Sequence, residues 1–184
     1  MTRCLLLGMA SLLAAAAAPA TLHLTDTSDR PVTINAASGK VTVVVFISTL
    51  CPISNAYHDR YKALVSSYKN KPGIQFVFVN SNDNETMADV RDHVRDAELP
   101  FPVYKDWKNV VADQLRASMT PEAFVLDGGG VTRYHGAIDD AKVEARVKVD
   151  AVKDAIAALL AGKPVPRSEM KAFGCTIHRY RKSS

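Results

Sequence analysis

The sequence predicts an α/β fold, a central mixed sheet flanked by helices, and three observations carry that prediction. Val43, Val44, Val45, Phe46 and Ile47 form an unbroken β-branched and aromatic run, the composition of a central strand covered on both faces. After Cys51 and Pro52 the pattern changes: Ile53, Tyr57, Tyr61, Leu64, Val65 and Tyr68 recur at spacings of three and four, an apolar stripe along a helix over 52–69. Asn70-Lys71-Pro72-Gly73 stops that helix, and Ile74 to Val79 is a second strongly apolar strand. Strand, helix and strand in succession imply a right-handed crossover and a parallel pair.

The remaining elements follow in chain order. Residues 1–20, MTRCLLLGMASLLAAAAAPA, place a basic Arg3 before an apolar stretch and end on Ala18-Pro19-Ala20, the pattern of a cleaved secretory signal peptide. The apolar stretch is shorter than the roughly 20 residues that span a bilayer, so no stable membrane anchor is expected. Removing the leader leaves 184 − 20 = 164 residues, enough for one domain over 21–162 and an extension over 163–184. Thr21 to Thr25 and Pro31 to Asn35 read as an opening hairpin around Asp26-Thr27-Ser28-Asp29. Asn80 to Asn84 form a polar loop that supplies the cap of a helix over 85–97, and Leu99-Pro100-Phe101-Pro102-Val103 is extended because both prolines resist helix. Asp106 to Ser118 reads as a short helix with Val110, Val111 and Leu115 inward. Ala123–Leu126 and Val131–His135 form a hairpin around Asp127-Gly128-Gly129-Gly130, and an alanine-rich helix runs over 142–161, closed by Gly162. The net charge of +4 is partly gathered at Arg179, Arg181 and Lys182, while both signs are interspersed elsewhere, which argues against nucleic acid as a partner.

Cys51 stands where strand gives way to helix, and Pro52 suits a first helical position that needs no N–H. A thiol there meets unpaired N–H groups and the positive end of a helix dipole, both of which favour thiolate. Once the leader is gone, the second cysteine is Cys175, which is either half of a structural bridge or the partner of a reactive thiol.

Phe46-Ile47-Ser48-Thr49-Leu50-Cys51-Pro52, the Ile74–Val79 strand, Thr120-Pro121-Glu122-Ala123-Phe124-Val125-Leu126-Asp127 and the glycine-rich hairpin resemble the thioredoxin-like fold. Within it they are similar to the redoxin branch, which holds the alkyl hydroperoxide reductase/thiol-specific antioxidant family and periplasmic thioredoxin-like proteins. The resemblance implies a cis Thr120-Pro121 bond against the active-site cysteine, with Thr120, Pro121 and Pro52 on the substrate side. Pro121 has no N–H, so the Thr120 backbone would be free to pair with an incoming extended substrate. Two departures shape the chemistry. Ser54 stands where thioredoxins carry a second cysteine, and Pro121 falls about where peroxiredoxins place an arginine, although Ser48 keeps their hydroxyl three residues before the cysteine.

The resemblance therefore implies an exported thiol-disulfide oxidoreductase that needs no cofactor and acts on a redox partner protein with a reactive thiol or disulfide. Cys51 would be the nucleophile, Cys175 in the Phe173-Gly174-Cys175-Thr176-Ile177-His178 tail the resolving thiol, and Ser54 a donor to the Cys51 sulfur. Two alternatives stay open: a peroxiredoxin-like thiol peroxidase, and a copper-binding Sco-like protein in which Cys51, Cys175 and His135 or His178 supply soft ligands. His23, His58 and His93 read as surface residues.

Overall fold

The computed structural model describes residues 21–181, so the leader expected over 1–20 lies outside the described residues. Eight strands form one sheet in the order β2-β1-β5-β4-β3-β7-β8-β9. They are β1 (Thr21–Thr25), β2 (Pro31–Asn35), β3 (Val41–Ile47), β4 (Ile74–Asn80), β5 (Val103–Lys105), β7 (Glu122–Leu126), β8 (Thr132–Gly136) and β9 (Glu169–Met170). Two further short strands, β6 (Met119–Thr120) and β10 (Cys175–Thr176), pair with each other beside it. The helices are α1 (Pro52–Asn55), α2 (His58–Tyr68), α3 (Met87–Asp96), α4 (Val110–Leu115) and α5 (Ala151–Leu160). No helix among the described residues is long and apolar enough to cross a membrane.

β3 is buried along its whole length, and its side chains alternate between two cores. Val43, Val45 and Ile47 pack with Tyr61 and Leu64 of α2, Val90 of α3 and Ile156 of α5. Val44 and Phe46 face the other way, onto Val111 and Leu115 of α4 and Ile177 of the tail. β3 runs parallel to β4 and antiparallel to β7, so the expected crossover and the mixed sheet are both present.

Four expected elements differ, each for a physical reason. The helix over 52–69 is broken: at Tyr57 the backbone flattens to φ −95°, ψ −1°, and its amide bonds three residues back to Ser54. The loop 80–84 does not supply the cap of α3; Thr86 does, in a reciprocal capping box with Asp89. Val110 is exposed, because Lys108 and Asn109 take left-handed conformations (φ 60° and 59°) that reset the phase before α4. The helix over 142–161 starts only at Ala151. Upstream, the Ala141 and Lys142 carbonyls accept from the Arg60 guanidinium, and the Asp140 carboxylate takes the Lys148 and Val149 amides, so this backbone is bonded outside any helix.

Candidate active site

Cys51 lies in the turn between β3 and α1 and is 1% exposed. As the N-cap of α1 it accepts at Sγ from the Ser54 backbone N–H, at 3.3 Å. Because α1 is a single turn, individual N–H groups act on the sulfur and a long helix dipole does not. The Ser54 side chain points elsewhere: its Oγ accepts from the Ser48 amide at 3.2 Å and meets the Tyr61 hydroxyl at 3.5 Å. The expected hydroxyl donor to Cys51 is thus replaced by the same residue's backbone. Ser54 is buried, whereas Pro52, at the first position of α1, is exposed.

The Ser48 hydroxyl organises the turn from below. Its Oγ accepts from the Cys51 amide at 3.0 Å and the Leu50 amide at 3.2 Å, and donates to the Glu85 carboxylate. Glu85 also takes the Thr49 amide at 2.7 Å and the Asn80 side-chain amide. Beneath it Lys105 Nζ donates to Asn80 Oδ1 at 2.8 Å and to the Asn82 carbonyl at 2.6 Å. Burial holds the Lys105 amine below its ordinary range, against the opposing pull of Glu85, Asp83, Asp106 and Asp89. Glu85, Asn80, Asn82 and Lys105 are all buried, and sequence reasoning missed them. The available signal was position: Asn80, Asn82 and Glu85 follow the carboxyl end of β4, where open α/β sheets place their sites.

From the other side the Thr120-Pro121 turn closes over the cysteine, with a cis peptide bond and the Thr120 carbonyl 3.1 Å from Cys51 Sγ. The backbone expected to be free for an incoming strand is taken. β10 pairs with β6 in antiparallel register, Cys175 opposite Thr120 and Thr176 opposite Met119. This pairing brings Cys175 to the side of Cys51, so that both thiols line one cleft.

That proximity polarises the pair. Burial pushes the Cys51 thiol up, but donation from the Cys175 thiol and the Ser54 N–H outweighs it and holds Cys51 below its ordinary value. The Thr120 side chain and the Cys175 backbone add to the lowering. Cys175 is pushed up to about 11, first by donating to Cys51, then by burial and by the charge on its partner.

A cleft of about 180 Å³ opens beside the two thiols, lined also by Ser48, Leu50, Asn82, Glu85 and His178. Leu50 stands 64% exposed at its rim. His178 therefore joins the cysteines, held by its amide on Asn82 Oδ1 at 2.8 Å, whereas His135 sits on β8 against Phe124 and lines no part of the cleft. Among the described residues no three His, Cys, Asp or Glu side chains gather closely enough to hold a metal ion. A larger cleft of about 240 Å³ between α2 and the segment 138–153 shares no residue with this site.

Residues 14–135 match the model of the AhpC/TSA family. Two solved structures resemble nearly the whole chain at 27% identity and TM-score 0.81. One is an uncharacterized conserved protein from Geobacillus kaustophilus, covering 92% of this chain and 93% of that one; the other is a hypothetical protein from Sinorhizobium meliloti 1021, covering 94% and 98%. A putative thiol:disulfide interchange protein DsbE from Chlorobium tepidum shares the fold, at 22% identity and TM-score 0.57 over 68% of this chain and 85% of its own. No curated protein matches the chain. The family match spans the strand, turn and helix that hold Cys51, and with the thioredoxin-like fold of the solved relatives it makes this chain a member of the AhpC/TSA family.

Proposed function

We propose that the protein is an exported thiol-disulfide oxidoreductase with Cys51 as nucleophile and Cys175 as resolving thiol. The Cys51 thiolate attacks one sulfur of a partner disulfide; a mixed disulfide forms and the partner's other sulfur leaves as thiolate. Cys175, deprotonated as it reacts, then attacks Cys51 Sγ. The Cys51–Cys175 bond forms, the mixed disulfide breaks, and the partner departs as a dithiol, reduced by the two electrons this chain has lost. A reduced dithiol partner reverses the sequence. Thr120, Pro121 and Pro52 border the approach, and Ser48 and Ser54 fix the turn around the nucleophile.

The observation that carries this reading is the placement of Cys175 opposite Thr120, whose carbonyl touches Cys51 Sγ, so that both thiols line one cleft, with the pKa of Cys51 held below its ordinary value and that of Cys175 above it. Export rests on the leader pattern over 1–20, with the redoxin domain over 21–162 and the extension over 163–184 as the mature chain. Peroxide chemistry is less well supported, because the Ser48 hydroxyl is committed to Glu85 and two amides, and Pro121 stands near the place of the peroxiredoxin arginine.

Equilibration in glutathione buffers of graded potential, followed by mass-tagged alkylation and site-resolved mass spectrometry, tests the pair. Cys51 and Cys175 are expected to lose their tags together at one potential, and Cys175→Ser to leave glutathione bound on Cys51. Independent oxidation of the two thiols would overturn the resolving role.

A further inference from the structure

The tail is seated on the Thr120 edge in a way that reads as recognition. Its residues alternate: Phe173 packs against the Tyr57 ring, with centroids 6.3 Å apart, Cys175 faces Cys51, Thr176 is exposed, and Ile177 is 1% exposed in the core beside α4. Hydrogen bonds hold the same stretch, the Ile177 amide donating to the Ser118 carbonyl at 2.9 Å and the Thr120 hydroxyl to the Cys175 carbonyl at 3.3 Å. Gly174 passes so near Pro121 that a Cβ there would stand 2.0 Å from the Thr120 carbonyl oxygen, a backbone atom that cannot swing away. A chain lying on this edge with its cysteine at Cys51 must therefore carry glycine immediately before that cysteine. Main-chain pairing with pockets for alternate side chains is how sheet edges select extended peptides.

We propose that this tail is a tethered occupant of the protein's own substrate edge, and that a partner is recognised as an extended Gly-Cys segment with a branched apolar residue two places after the cysteine, docking once β10 has left. The proposal rests on Cys51 as nucleophile and asks nothing of Cys175 as a redox partner. It makes the tail a competitor of every protein substrate, so the conformational equilibrium of β10 sets access to the site.

The test uses the full chain with Cys4→Ser and Cys175→Ser, which leaves Cys51 as its single thiol. The probes are the pentapeptides Phe-Gly-Cys-Thr-Ile and Phe-Val-Cys-Thr-Ile, each with thionitrobenzoate disulfide-bonded to its cysteine. Cys51 Sγ attacks the peptide sulfur, the peptide's bond to thionitrobenzoate breaks, and the coloured thiolate leaves, so its release measures capture. The glycine peptide is expected to be captured about tenfold faster than the valine peptide. Adding Gly174→Val to the protein, which expels β10, is expected to raise glycine-peptide capture about tenfold relative to reaction with the small dinitrobenzoate disulfide. Equal capture of the two peptides would overturn the proposal while leaving Cys51 a nucleophile; failure of Cys51 to react with either peptide or the small disulfide would overturn both readings. The comparison of the two peptides needs no change at position 174, so it stands even if Gly174→Val does not fold.

Discussion

A buried thiol ordinarily loses acidity, since burial disfavours the charged form, and Cys51 reverses that through the donors around its sulfur. One of them is local, the Ser54 amide in the first helical turn, held in place by a turn that Ser48 fixes from below. The strongest is remote in sequence and comes from Cys175. The thiolate is the reactive form, so alkylation of Cys51 rises with pH through its pKa and levels off at a lower pH than an ordinary cysteine shows. Cys175→Ala removes the thiol donor, and the Cys51 rate profile is then expected to shift to higher pH; site-resolved iodoacetamide kinetics measure it. An unmoved profile would place the acidity in the turn alone. In the unsubstituted protein Cys175 itself is expected to react only as the pH approaches its own value of about 11. Much of this site was legible from residue order, because a strand-Cys-Pro-helix sequence dictates an N-cap cysteine. Glu85 was not, because its partners Ser48 and Thr49 are brought to it by the crossover, and beside Thr86 it reads as an ordinary first-turn acid.

Elements whose cause is local match the sequence pattern closely: β3, β4, the opening hairpin and the β7–β8 hairpin follow from runs of β-branched residues and their turns. Of those that differ, the late start of α5 is set partly by a side chain far away in the chain, where Arg60 of α2 takes the carbonyls that a longer α5 would have used. The contact between α2 and α3 is of the same kind. His58 and His93, read as separate surface residues, meet Nε2 to Nε2 at 3.1 Å and are half-buried. One ring donates and the other accepts, which only neutral or singly protonated rings allow. Burial first, and then for His58 the neighbouring His93 and Lys62, lowers both pKa values despite Asp59 beside His58 and Glu85 and Asp96 near His93. Folded values below the unfolded value of about 6.5 mean that the unfolded chain binds more protons once the pH falls past that point. The pair therefore costs nothing above it and destabilises the fold increasingly below it. Urea midpoints measured between about pH 7.5 and pH 5.5 are expected to fall, and to fall less in His58→Gln, which removes one titrating ring. An identical slope in the variant would exclude the pair as its source.

Across the whole molecule, one buried ion pair joins parts of the chain that the sheet does not. Gly136, at φ +128° and with no room for a Cβ against the Met170 carbonyl, lets β9 lie on β8, and the chain between them leaves the sheet at Ala137 and returns only through α5. That excursion is fastened at Asp139. Its carboxylate receives Arg60 Nη1 at 2.7 Å and the Tyr57 hydroxyl at 2.8 Å, both from the helical segment that begins at Cys51. The guanidinium also lies 3.8 Å over the Tyr57 ring. Nothing in the local sequence around Asp139 marks it, since an Asp-Asp pair before a charged stretch reads as a solvated loop. Removing the acid leaves the buried guanidinium without its counter-charge, with only backbone carbonyls to receive it and the Tyr57 hydroxyl, and breaking one side of a buried pair costs about 3–5 kcal/mol. Against the roughly 5–15 kcal/mol that holds a typical domain together, this is a large share. Asp139→Ala is therefore expected to lower the urea midpoint by that amount of stability, and to quicken alkylation of Cys51 in native buffer as α1 and α2 lose their anchor. Asp139→Asn, which keeps one acceptor oxygen for Tyr57 and Arg60, is expected to lose less than half as much. Equal losses in the two variants would mean that the negative charge opposite Arg60, and not the acceptor oxygen that Asp139→Asn retains, carries the contribution.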